Sequence, residues 1–292
     1  MSKQAVAVLG ATSPVGDFLL RKLALAGTEV IAFTRGDVGH KLSGSSLTWR
    51  SFSQDLSDIT ISDCICLAPI WVLPEHFSLL ERLGVRRVVA LSSTSRFTKT
   101  TSPDPKERRT VTRLAEGEEA LARWGAERGV EWVVLRPTLI YGGGRDKNIS
   151  SIARVIQRLH FFPLVDGGRG LRQPVHGEDV ARAALLALEQ RNVVNRAFNI
   201  SGAEVLSYRR MVERVFLAMG RRPRLLSLPA PMLEMAVRLL AKVPGFDWVS
   251  VGMVERMTRD MVFDHEEAAK AFGFNPRGFE PSQADLPELA KT

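Results

Sequence analysis

Short apolar runs alternate with stretches of helical periodicity through the first half of the chain. Residues 4–9 (QAVAVL) form a β-branched and apolar run that stops at Gly10. Phe18, Leu19, Leu20, Leu23 and Leu25 then recur at helical spacing, Gly27 closes the helix, and 29–33 (EVIAF) reads as a second strand. Together these make a βαβ unit of about 30 residues. The rhythm continues with a weak strand at 47–52, a buried one at 64–68, a helix around 79–83 and a strand at 87–91. A long helix at 110–128 and a strand at 130–135 follow. Fully apolar short strands between helices predict a parallel sheet covered on both faces.

After Tyr141-Gly142-Gly143-Gly144 the pattern changes. Residues 148–159 are helical, and 163–174 read as a glycine-rich connection. Asp179 is placed to cap a helix over 180–188 that returns to the sheet. From Ser207 the chain is mostly helical, with short strands near 198–200 and 225–228. The expectation is an α/β domain over 1–145, to which 175–200 returns, and an interleaved, mainly helical substrate lobe over 146–292. The apolar positions Leu233, Leu239 and Leu240, with Trp248, read as an amphipathic segment closing that lobe.

Composition narrows this only a little. With 45% hydrophobic and 25% charged residues the chain can bury a core, which excludes a disordered polypeptide. The net charge of +8 is spread along the chain. It favours an anionic small molecule and, without a basic tail or an aromatic stacking pattern, gives no sign of nucleic-acid binding. No apolar stretch reaches the roughly 18 residues of a membrane span. No signal-peptide cleavage pattern is seen at the N-terminus, so a soluble cytoplasmic protein is expected. The two cysteines, Cys64 and Cys66, imply no disulfide framework and a reducing compartment. They are read as pointing to opposite faces of one strand, and no metal site is expected.

The first strand runs into Gly10-Ala11-Thr12-Ser13-Pro14-Val15-Gly16 and then a helix. Glycine at 10 permits a tight turn, and glycine at 16 lets helix and strand approach. The helix N-terminus then offers N–H groups and a positive dipole end to a pyrophosphate. Ser13 stands where such turns usually have a middle glycine; its hydroxyl is a further candidate for phosphate. The turn predicts a Rossmann-type, doubly wound sheet holding a dinucleotide through Gly10, Thr12, Ser13, Pro14, Val15 and Gly16. The second strand ends in Thr34-Arg35 with no acid, which favours NADP(H) over NAD(H), since a guanidinium suits a 2′-phosphate. Asp55 and Leu56 are placed for the adenine edge and face, with a turn or N-cap role as the alternative for Asp55, and Ala68 is a further cofactor-binding candidate.

The chain resembles the extended short-chain dehydrogenase/reductase family, the NAD-dependent epimerase/dehydratases. The resemblance rests on GATSPVG at 10–16, LSST at 91–94, RPTLIYG at 136–142, GLRQPVHGEDVARA at 170–183 and Gly273-Phe274-Asn275-Pro276. It implies an oxidoreductase, epimerase or dehydratase acting on a nucleotide-sugar or similar phosphorylated substrate. By this resemblance Thr94 falls on the active-site hydroxyl residue, and Arg136, Pro137 and Thr138 flank the nicotinamide. Asn148 and Arg172 hold the substrate diphosphate. His176 and Asp179 read as scaffold. The partner is a small molecule, with a homodimer left open.

One departure stands against ordinary family chemistry. The Tyr-x-x-x-Lys pair expected on the long helix is replaced: Thr110 falls at the tyrosine position and Leu114 at the lysine position. The chain's two tyrosines, Tyr141 and Tyr208, lie elsewhere. Lys99, Lys106 and Tyr141 are the candidates for a substitute acid/base, although a charged loop for the lysines and a packed ring for the tyrosine are the plainer readings. The alternative function is a catalytically silent dinucleotide-binding subunit, assembly factor or redox sensor, as in an accessory subunit of respiratory complex I.

Overall fold

The structure, a computed structural model, describes residues 5–36, 44, 46–52, 54, 56, 59–100, 102, 104–240 and 257–288. Asp55 and Trp248 lie outside them.

Seven parallel strands form the main sheet: β1 (Val6–Leu9), β2 (Val30–Thr34), β3 (Leu47–Ser51), β4 (Asp63–Cys66), β5 (Arg87–Leu91), β6 (Glu131–Pro137) and, from much later in the chain, the strand Arg196–Ile200. Their spatial order runs from Arg196–Ile200 through β6, β5, β4, β1 and β2 to β3. The period-two alternation explains why the strands read as uniformly apolar. Val6 and Val8 of β1 enter one cluster with Leu19, Leu20 and Leu23 of helix α1 (Pro14–Leu25). Ala7 and Leu9 enter the opposite one, beneath helices α2 (Phe77–Arg82) and α4 (Pro105–Arg128), which follows the short α3 (Ser95–Thr98).

Cys64 and Cys66 both belong to the second cluster, while Ile65 between them faces the first. The expectation of opposite faces is therefore corrected: residues two apart share a face of a strand. Both thiols are fully buried, and burial pushes the Cys66 thiol up to about 12 and that of Cys64 well above its ordinary value. They behave as small apolar side chains.

The lobe has its own core, built by α5 (Ile149–Leu159), the strand Phe162–Val165, and a helix, Tyr208–Ala218. The stretch read as a glycine-rich connection contains two strands. Phe162–Val165 pairs in parallel with Leu225–Leu228, and Leu171–Arg172 pairs antiparallel with Leu206–Ser207. The interleaving is deeper than expected. Besides helix Gly177–Glu189 and strand Arg196–Ile200, the late segment with Ala268, Phe272 and Phe274 packs into the main sheet's core rather than the lobe. Helix Gly177–Glu189 begins two residues before Asp179. His176 caps it, its Nδ1 accepting from the Glu178 N–H at 3.1 Å, while Asp179 accepts from the backbone and guanidinium of Arg277.

Candidate functional site

The turn between β1 and α1 opens where the strand order reverses, with β2 on one side of β1 and β4 on the other. In open parallel sheets the ligand crevice lies there, beyond the carboxyl ends of the strands. Gly10 has φ +73°, and a Cβ on it would stand 2.3 Å from the Ala68 amide nitrogen at the end of β4. A Cβ on Gly16 would stand 2.1 Å from the Ala11 carbonyl oxygen, so helix and turn meet backbone to backbone. Ser13 has ordinary extended angles (φ −71°, ψ 161°), and its hydroxyl oxygen accepts from the Gly16 N–H at 3.1 Å. The hydroxyl is thus a helix cap. Pro14 brings no N–H, so the amides that the turn offers an anion centre on Thr12 and Val15.

Arg35 is exposed just past β2. Its charge reaches His76, whose pKa is lowered by burial first; Glu75 opposes that shift and Arg35 adds to it. His76 stacks on Phe52 with centroids 4.2 Å apart, and Phe52 on Phe33. Leu56 is buried and Ala68 half-buried at this end.

A cavity of about 650 Å³ opens between the carboxyl ends of β5 and β6 and the lobe. Thr94, Pro137 and Thr138 line it from the sheet side; Lys147, Asn148 and Arg172 line it from the lobe side. Thr94 is held at two points, since its N–H and its hydroxyl both donate to the Pro137 carbonyl, at 3.1 and 3.2 Å. The Thr138 hydroxyl donates to the Gln173 carbonyl at 2.5 Å, tying the sheet edge to the lobe. Arg172 is buried, donating to the carbonyls of Leu171 (2.6 Å) and Arg259 (2.7 Å), with its guanidinium 5.3 Å from the Tyr208 ring centroid. Asn148 precedes α5 and is exposed, and its own N–H donates to Asp146 at 2.8 Å.

Of the acid/base candidates, Lys99 alone lines the cavity, its Nζ donating to Glu107 at 3.0 Å. Lys106 is exposed on the first turn of α4. Tyr141 is 1% exposed, edge-on to His176 and Phe279, with its hydroxyl 3.4 Å from the Gly278 carbonyl. Burial raises its pKa above the ordinary phenol value. On α4 itself, the Thr110 hydroxyl donates to the Lys106 carbonyl one turn back at 2.9 Å, and Leu114 is buried in the core. Neither position supplies a proton to the cavity.

The residue that sequence reasoning passed over is Glu118, one turn beyond Leu114. Its buried carboxylate accepts from Ser92 Oγ at 2.5 Å, from Arg96, and from Arg136 through Nε and Nη2. Arg136, expected at the nicotinamide, spends its guanidinium on Glu118 and does not line the cavity. An acid placed four residues after the lysine position, with arginine at 136, was the available signal.

A parallel sheet of this order, a glycine turn at its switch point and a returning lobe define a Rossmann-like α/β protein. The model of the NAD dependent epimerase/dehydratase family matches residues 77–201 of the chain. Among curated proteins it is similar to the uncharacterized protein y4nG of Sinorhizobium fredii (strain NBRC 101917 / NGR234). The identity is 26% over 298 residues, 92% of this chain and 74% of that protein. It is also similar to the mitochondrial NADH dehydrogenase [ubiquinone] 1 alpha subcomplex subunit 9 of Arabidopsis thaliana. That identity is 23%, over 78% of this chain and 61% of that protein. Among solved structures, MoeE5 in complex with UDP-glucose and NAD shares the fold with a TM-score of 0.72, at 22% identity and 97% coverage of both chains.

Proposed function

We propose that the chain binds a nicotinamide dinucleotide on the Gly10–Gly16 turn and a nucleotide-diphosphate sugar in the cavity, and that it carries out redox-based chemistry on that sugar. The observation that carries this reading is the cavity itself. It joins Thr94, at the carboxyl edge of the sheet, to Arg172, Lys147 and Asn148 of the lobe, and its charged lining is entirely cationic among the described residues. MoeE5, with UDP-glucose and NAD bound, supports the pairing of the two ligand classes on this fold.

The cofactor would supply hydride transfer. The protein's part is to hold the pyrophosphate with the amides of Thr12 and Val15 at the dipole end of α1, and the adenosine 2′-phosphate with Arg35. Pro137 and Thr138 would shape the nicotinamide side. Thr94 would orient the reacting sugar oxygen, with Lys99 on the same wall of the cavity. Arg172 and Asn148 would hold the diphosphate, a guanidinium suiting phosphate oxygens by its planar, charged donor geometry.

Calorimetric titration of UDP-glucose and UDP-glucuronic acid tests this. At least one binds, and Arg172→Ala weakens it by about 10–100-fold, the scale of a lost charge-assisted contact. If neither binds the intact protein, the reading fails.

The second reading is a dinucleotide-binding subunit without turnover. Thr110 and Leu114 favour it, because the long helix lacks a proton donor aimed at the cavity. The similarity to a mitochondrial NADH dehydrogenase [ubiquinone] subunit supports it too. Binding of both ligands without conversion of either sugar, with NADP+ or NAD+ supplied, would decide for it.

A further inference from the structure

The side-chain charges lining the cavity are Lys99, Lys147 and Arg172, with neither carboxylate nor imidazole among the described lining residues. They belong to two walls. Lys147 and Arg172 come from the lobe. Lys99 comes from the sheet domain, at the end of α3, five residues after Thr94 and on the same wall as Ser95 and Thr98. A diphosphate held by the lobe cations leaves Lys99 beside the sugar.

Lys99 is also prepared for an anion. Its side chain is 22% exposed, and Glu107, which orients it, does not line the cavity. Glu107 is itself fixed by the Ser102 hydroxyl at 2.8 Å. An ammonium has three N–H donors and no acceptor, so this pairing leaves donors for the cavity side. Residues 99–109 carry Lys99, Lys106, Arg108 and Arg109 against Asp104 and Glu107, so the pair sits in a locally positive segment. Met261 and Phe263 place apolar surface in the same cavity, which strengthens a charge contact by excluding water.

We infer that Lys99 is a carboxylate subsite, and that the substrate is an acidic nucleotide-sugar of the uronate type rather than a neutral hexose. The inference rests on the nucleotide-sugar reading and names the class of sugar. The test is calorimetric titration of UDP-glucuronic acid and UDP-glucose, with NADP+ present, into the protein and its Lys99→Gln and Lys99→Arg variants. UDP-glucuronic acid should bind the unaltered protein about tenfold or more tightly than UDP-glucose. Lys99→Gln should shrink that gap to about twofold with UDP-glucose affinity little changed, and Lys99→Arg should keep it. Equal affinities in the unaltered protein overturn the inference and leave the nucleotide-sugar reading standing. A gap that persists in Lys99→Gln also overturns it, assigning the preference to the protein's overall positive charge. Failure of both sugars to bind removes the parent reading and the subsite together.

Discussion

Glu118 and Arg136 form a two-point pair, with Arg136 Nε at 3.1 and 3.2 Å from the two carboxylate oxygens and Nη2 at 2.5 Å from Oε2. Glu118 projects from α4 and Arg136 from β6, so the pair pins the long helix to the sheet directly behind the Ser92–Thr94 strand end. Ser92 and Arg96 share the same carboxylate. Glu118→Gln removes the charge that three donors address, in a site where the Glu118 side chain is 7% exposed. Urea unfolding should show a loss of about 3 kcal/mol, the lower end of the range for breaking a buried ion pair. A change under about 0.5 kcal/mol would mean the network is not stabilising.

Acid should loosen the contact between the C-terminal segment and helix Gly177–Glu189. Burial alone would raise the Asp285 pKa, but hydrogen bonds from His176 and from the Ser282 N–H and hydroxyl outweigh it and hold it at about 2. Glu178 is held at about 2 by hydrogen bonds from Lys22 and Arg277. Both folded values lie below the unfolded ones, so their stabilisation is complete above about pH 4.5 and is lost as pH falls toward 2. The urea midpoint should drop across that window, and Asp285→Asn should flatten part of the drop. An unchanged slope in Asp285→Asn would contradict the assignment.

Tyr141→Phe should leave both ligand affinities within about twofold and stability within about 1 kcal/mol, since the hydroxyl's bond to the Gly278 carbonyl is long. A large fall in turnover or binding would mean that the buried phenol reaches the reacting centre. Thermal unfolding and calorimetry on the one variant check both halves.

Arg35→Asp should reverse cofactor preference. NADPH affinity should fall about tenfold or more and NADH affinity hold or rise, as an acid there suits a ribose hydroxyl. Parallel fluorescence titrations read it directly, and unchanged NADPH affinity would exclude Arg35 from the site.

The sheet and its turn were legible because local chemistry and tertiary role coincide there. Val6 to Leu9 are apolar on both faces, Gly10 is needed for a positive φ, and Pro14 can only open a helix. The lobe was less legible. Leu171–Arg172 and Leu206–Ser207 are two-residue strands, too short to show a period, and their partners are distant in sequence. The cap at His176 was missed because histidine is an unusual cap, whereas Asp179 looks like one and instead anchors Arg277. Thr94 and Arg172 line the cavity, whereas Arg136 turns to Glu118. Spacing places a residue on an element, while its partner is decided by contacts such as Glu118 that only folding brings within reach.

The central claim is that backbone amides at the start of α1 hold a dinucleotide pyrophosphate, and Gly10 tests it most directly. Titration of NADPH and NADH by calorimetry should show micromolar binding of NADPH, tighter than NADH. Gly10→Ala should abolish both while the variant remains folded by circular dichroism, because its Cβ would press on the Ala68 backbone. No heat of binding for either nucleotide with the unaltered protein, or undiminished binding to a folded Gly10→Ala variant, would contradict the account.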